Sequence, residues 1–372
     1  MMDNTKTQSR QNIVVGSVQR PNPILLFGIL ILPLFFLFAS CNNPGAKPPD
    51  VSNINVSLHT YRFDTDFYAI DTNHIGESLK KLHSRYPDFL NYYLDTFMAF
   101  GINGNYSDTG LGIRKLDTFL TYKDYVGLED TVKKQFPETS EVEENLTQGF
   151  RYLRHYYPGS RPPRIFYINS GLSNWPAFPL DSATICIGLD WFLGAQFPYY
   201  RSVGVPDYML SHVTKAHLPV DVFSTVYRAM HPFNGSDRTL LDMMIQRGKE
   251  QYFLHKVLPN TPDSVLFGFT NLQLDWCATN EAIVYNFFIH QGLLYNKDTH
   301  STQPYITDGP YAVGLEDVTD RVKTSPGNVG TWLGYRIVCS YMAKHPEVTL
   351  SALTDKETDP ARFLEDAHYR PR

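Results

Sequence analysis

Residues 240–254 carry apolar side chains at 241, 244, 245, 248 and 252, the spacing of one face of an α-helix. Gly248 stands on that face between Ile245 and Tyr252, where glycine costs about 1 kcal/mol of helix propensity relative to alanine. Close approach of a second element accounts for a glycine there, so the chain must fold around a tight helix contact. Asp242, Gln246 and Lys249 take the opposite side, and Leu258-Pro259-Asn260 supplies the stop. The expected partner is a helix over 328–344, on which Gly330, Gly334 and Val338 fall at i, i+4 and i+8 and leave a groove for the Gly248 face. Arg336 of that helix is expected to pair with Glu281, either buried between helices or solvated at their edge.

The first forty residues read as an address. Lys6, Arg10 and Arg20 form a basic segment, residues 24–38 an apolar run, and Phe38-Ala39-Ser40-Cys41 closes it with small residues before a cysteine. Fifteen apolar residues including Pro33 fall short of the ~20 that span a bilayer as a helix. The segment therefore reads as a secretory signal, and its end resembles the bacterial lipobox, with Phe38 where leucine is usual. That resemblance makes Cys41 the lipidated first residue of the mature chain and the membrane its partner through that lipid. The expected organisation is a signal peptide over 1–40, a lipidated tether over 41–55, a single helical domain over 56–355 and a polar C-terminal tail over 356–372. At 372 residues and 42% hydrophobic content the chain can bury a sizeable core. The formal charge of −5 becomes −7 without the first forty residues, which argues against a nucleic-acid partner. Cys186, Cys277 and Cys339 are widely spaced in apolar runs and read as small buried hydrophobes.

Along the mature chain, residues 58–64 suggest a strand, and a helical run reaching about Phe100 is expected to break at Pro87. A glycine-rich loop over 101–112 precedes two or three shorter helices that end at Pro158-Gly159. Residues 164–169 and 183–189 are the convincing strand pair, with a thirteen-residue loop between them. Beyond Asp190 the pattern predicts helices over 206–213, 219–230, 239–258, 271–291 and 328–344. The fold class is α+β, predominantly helical, with one small antiparallel sheet.

Motifs that would carry catalysis are incomplete. Gly171-Leu172-Ser173-Asn174-Trp175 lacks the second glycine of a nucleophile elbow. No histidine is followed by glutamate, as H-E-x-x-H requires, and His212 and His217 would lie about 140° apart on one helix, so they read as surface or capping residues. His345-Pro346-Glu347 has no P-C-x-x-C partner, and Gly327–Gly334 lacks the ending of a phosphate loop.

Four stretches together carry a family likeness. They are Cys186-Ile187-Gly188-Leu189-Asp190-Trp191-Phe192-Leu193-Gly194, the helix at 240–259 with Arg247-Gly248-Lys249, residues 274–281 ending in Thr279-Asn280-Glu281, and residues 326–338 from Pro326-Gly327-Asn328 to Arg336-Ile337-Val338. With Arg62-Phe63-Asp64 and the lipobox, their order and spacing resemble the gliding-motility lipoprotein family GldB of Bacteroidota. The resemblance implies a role in cell gliding and the linked secretion apparatus, with other envelope proteins as partners, and supplies no established catalytic residues; the incomplete motifs lead to the expectation of no cofactor. Placement at the outer membrane, facing the periplasm, is expected because Asn42-Asn43-Pro44-Gly45-Ala46 lacks the acidic cluster that resembles a surface-export signal in these bacteria. The helix at 240–258 also resembles the second active-site helix of zinc peptidases, where a glutamate before the glycine is the third metal ligand. Arg247 stands at that place, so a degenerate zinc-peptidase-like scaffold without metal is expected. Two alternatives stay open. One is a metal-dependent hydrolase using scattered ligands such as His212, His217, His231 and Asp190, and the other a glycan- or peptide-binding lipoprotein using loops such as Ser173-Asn174-Trp175-Pro176.

Overall fold

β1 (His59–Arg62), β2 (Arg164–Ile168) and β4 (Thr184–Gly188) run parallel, and β3 (Ala177–Asp181) returns antiparallel along β4, giving the order β1-β2-β4-β3. The computed structural model describes residues 47–107, 109–173, 175–316, 324–355 and 358–372. Within these the protein is α+β and predominantly helical, as expected, but the sheet is mixed rather than antiparallel. The reason is a crossover: the segment after β2 passes over the end of β4 before forming β3, so β4 enters between β2 and β3 and aligns with β2. β3 was hidden in the expected thirteen-residue loop because Pro179 interrupts its pattern. Proline fits an edge strand, and β3 is one.

Side chains alternate across the sheet and divide the interior in two. Phe166, Ile168, Cys186 and Phe178 face one core, and Ile165, Tyr167, Ile185 and Ile187 face the other. Central strands buried on both faces read as unbroken apolar runs, as parallel strands do. The first core is closed by α1 (Phe63–Tyr68), α2 (Ile75–Arg85), α3 (Pro87–Asn91), the π-helical Tyr92–Phe97 and α4 (Leu111–Thr121). Pro87 at the start of α3 separates it from α2, where the sequence predicted a break. Phe63 sits at this core's centre, edge-on to Tyr86, Phe89 and Tyr93 at 5.4, 4.7 and 4.8 Å. Its neighbours Arg62 and Asp64 form a two-pronged pair at 2.9 and 2.8 Å, and the guanidinium also donates to Phe136 O.

The second, larger core takes in α5 (Lys123–Gln135), α6 (Ser140–Tyr156) and most of the chain after β4. That part comprises α7 (Tyr199–Ser202), α8 (Leu218–Met230), α9 (Leu240–Val257), α10 (Asp263–Phe267), α11 (Asn271–Thr279), α12 (Glu281–His290), α13 (Thr299–Thr302), α14 (Val329–Lys344), α15 (Leu350–Asp355) and α16 (Pro360–Asp366). α9 starts at a capping box, with Thr239 Oγ1 accepting from Asp242 N and Asp242 Oδ2 accepting from Thr239 N. The single helix expected over 271–291 is two, parted at Asn280. The helix expected over 206–213 is only the 3-10 turn Asp207–Met209.

Both ends of the domain extend beyond the expected bounds. Val51, inside the expected tether, is buried in the larger core. The expected polar tail instead contains α16, whose Phe363 is buried and stacks on Tyr341 at 4.2 Å, because Phe363 and Ala367 give the segment an apolar face. No helix among the described residues is long and apolar enough to cross a membrane.

Candidate functional site

The crossover after β2 is fixed by one carboxylate. Asp190 follows β4, is fully buried, and accepts from Ser170 N at 2.8 Å, Ser170 Oγ at 2.8 Å and Leu172 N at 2.7 Å. These bonds hold Leu172 in the left-handed region at φ 57°, a conformation that costs an L-residue about 1 kcal/mol or more. Gly188 packs tightly beneath them, since a Cβ there would lie 3.1 Å from Asp190 Oδ1 and 3.3 Å from Ser170 Cβ. Gly188 N donates to Pro176 O, and Trp191 Nε1 donates to Ser173 O. Asp190 thus folds the loop against the carboxyl ends of the parallel strands, where open α/β sheets place their ligand sites.

A cleft of about 300 Å³ opens beside this loop, walled by Leu172, Pro176, Trp191 and Met209 and floored by His212 and Asp221. Trp175, Tyr199, Val203 and Tyr208 are exposed in the segments that build its walls. His212 and His217 were expected at the surface or as capping residues, and His217 does stand at the N-cap position of α8, though its side chain makes no capping bond. The segment between the two is irregular, so their rings lie 4.5 Å apart, and His217 is buried. His217 Nδ1 donates to Val265 O at 3.0 Å, which leaves Nε2 as an acceptor 3.6 Å from Asp221 Oδ1. Burial pushes the His217 pKa down to about 4 and the Asp221 pKa up to about 7, and it lowers that of His212. Near neutral pH the cleft therefore has an uncharged imidazole on its floor, a second buried just behind it, and a carboxyl near the midpoint of its titration. Gly268, at φ 67°, packs so closely on His212 that a Cβ would meet the ring at 2.2 Å. The helix start marked by Pro219 was the sequence signal that could have placed His217 and Asp221 on the first turn of α8.

The other site residues read from the sequence lie elsewhere. A Cβ on Gly248 would fall 2.3 Å from the backbone carbon of Gly334, and one on Gly334 would fall 1.8 Å from Met244 O. One on Gly330 would fall 2.6 Å from Tyr305 O. α9 and α14 therefore touch backbone to backbone. Arg336 reaches both carboxylate oxygens of the buried Glu281, at 3.3 and 3.4 Å, and Tyr369 OH donates to the same carboxylate at 2.6 Å. Arg247 pairs with Glu250 at 3.1 Å. Of the scattered ligands considered for a hydrolase, only His212 and His217 meet. His231 terminates α8 at the far end from His217 and faces Asp355, while Asp190 is committed to its loop. Among the described residues no group of three or more His, Cys, Asp or Glu is arranged to hold a metal ion. Cys41 lies outside the described residues.

A further buried carboxyl stands behind the crossover. Glu129 on α5 is 2% exposed, accepts from Asn169 Nδ2 at 3.0 Å and lies 3.7 Å from Lys133 Nζ. Burial raises its pKa from 4.5 to about 7. The folded protein thus keeps a proton that the unfolded chain releases above about pH 4.5, so this contribution to stability is lost as pH rises through 7. Glu129→Gln should match the parent at pH 4 and exceed it at pH 8 by about 2 to 3 kcal/mol. Urea denaturation at both values checks this, and equal midpoint differences at the two would refute it.

The model of the family described as gliding motility protein GldB matches residues 45–371. No curated protein and no solved structure matches the chain. Both core clusters, the Asp190 crossover, the cleft and the α9–α14 contact lie within the matched span, and the chain belongs to the gliding motility protein GldB family.

Proposed function

We propose that the protein is a lipid-anchored component of the gliding machinery and the linked secretion apparatus, and that its domain acts by binding other envelope proteins rather than by catalysis. Cys41 is the anchor in this reading. Residues 42–50 form the spacer, and the outer membrane, on its periplasmic face, is the location. The observation that carries the binding role is the set of exposed apolar side chains, Trp175, Tyr199, Val203 and Tyr208, in the segments around a preformed cleft. Aromatic residues of this kind are enriched where proteins meet. Membership of a gliding-motility family supports the cellular role. Tethering supports the mechanism, because it raises the effective concentration of the domain toward other envelope components and lets weak contacts suffice.

A clean deletion tests the cellular role. Surface gliding should stop, or secretion weaken in a strain that does not glide, and the wild-type copy should restore it. Normal gliding and secretion in the deletion strain would overturn the assignment.

A further inference from the structure

At the floor of the cleft Asp221 faces a second hydrogen-bond acceptor, on His217, which is buried just behind the lining residues. His217 Nδ1 is spent as a donor to Val265 O, so its Nε2 lone pair looks toward Asp221 Oδ1 across 3.6 Å. That gap is too long for a direct hydrogen bond and suits a donor placed between and above both atoms. No hydrogen-bond donor among the described residues reaches the Asp221 carboxylate, about a quarter of whose side-chain surface remains open. The other titratable groups acting on Asp221 are His212, Arg228 and Asp308. Of these, Arg228 is held in an ion pair with Glu250 at 2.9 Å. Above the floor the walls are apolar, formed by Leu172, Trp191, Val205 and Met209. An occupant complementary to this arrangement has several donors and a positive charge at one end and a hydrocarbon body behind it.

We propose that the cleft receives a primary ammonium on an apolar stem, the chemistry of a lysine side chain or chain-terminal amine of a peptide, held between Asp221 and His217 Nε2. The three N–H groups can donate to the Asp221 carboxylate, to His217 Nε2 and to the His212 ring, while the stem lies along Trp191 and Leu172. This rests on the reading of the domain as a binding module and adds the chemistry of what it binds. The two can fail separately, since a deletion phenotype does not depend on amine binding.

The test uses the purified full chain, with hexylammonium, hexan-1-ol, Nα-acetyl-lysine amide and leucinamide as probes in calorimetric titration. Hexylammonium should bind saturably and at least tenfold more tightly than hexan-1-ol. Its affinity should rise about tenfold between pH 6 and 8 as Asp221 ionises. Asp221→Asn should weaken it at least tenfold, and the pH series on the unaltered protein serves as the second readout should that variant fail to fold. Preference for Nα-acetyl-lysine amide would identify a side-chain amine, and preference for leucinamide a chain terminus, both in support. Equal binding of hexylammonium and hexan-1-ol, an affinity indifferent to both pH and Asp221→Asn, or no saturable binding of hexylammonium would overturn the proposal.

Discussion

Gly334→Leu should lower the stability of the domain by at least about 3 kcal/mol, the upper end of what overpacking costs. The usual relief for overpacking is a rotamer change in a neighbour, and here no rotamer is involved. The position of a Cβ on Gly334 is occupied by Met244 O, and that of a Cβ on Gly248 by the backbone of Gly334. Adding any side chain forces α9 and α14 apart along their whole contact, and Met244, Leu333, Ile337 and Val338 are all buried on those helices. Helix propensity alone predicts the opposite sign, since glycine is the poorer helix former by about 1 kcal/mol. The experiment is therefore decisive in direction. The double variant Gly248→Ala/Gly334→Ala should cost less than the sum of its two single variants, because one separation of the helices accommodates both methyl groups. A denaturation midpoint equal to or above that of the parent would show that the helices do not meet at these glycines.

The second large effect is expected at Asp190→Ala. The substitution removes the acceptor of three hydrogen bonds at a fully buried site and leaves Ser170 N and Leu172 N with no partner. Each orphaned buried donor costs about 1 to 3 kcal/mol, so a loss of about 3 kcal/mol or more is expected. The damage should be local as well as global. Without the carboxylate nothing offsets the strain at Leu172, so the segment 170–176 should exchange its amide hydrogens faster and become open to proteolysis at the cleft wall. Asp190→Asn keeps one acceptor oxygen but turns an amide toward the Leu172 or Ser170 N–H, and should fall between the parent and alanine. Unchanged exchange over 170–176 in Asp190→Ala would mean that the loop is shaped by its own sequence.

These two positions mark how differently fold and site are written in the chain. The α9–α14 contact was legible because a glycine on an apolar helical stripe has one physical use, and a second helix offered glycines at the matching spacing. For Arg336 and Glu281 the sequence offered a pair but left open whether it is buried or solvated, and Pro87 followed from the geometry of the proline ring. The sheet was legible in its β-branched runs but not in its direction, because direction depends on a crossover whose anchor is a single aspartate twenty residues away from Ser170. β1 escaped as a partner of β2 for a similar reason, since about a hundred residues separate them. The cleft was the least legible part. Helical spacing would part His212 and His217 around an axis, whereas the chain between them is irregular and brings the two rings to 4.5 Å. Burial of polar side chains such as His217 and Glu129 comes from packing between distant elements. Their local sequence does not encode it.

If the domain works by contact while held at the envelope, a strain carrying Cys41→Ala as its only copy should lose that function. Gliding, or secretion where the organism does not glide, is measured after confirming that the variant is exported and folded. A soluble, folded and exported Cys41→Ala domain should restore activity poorly. Restoration to the level of the wild-type copy would rule out a role that depends on tethering and point to an enzyme or a soluble binding protein.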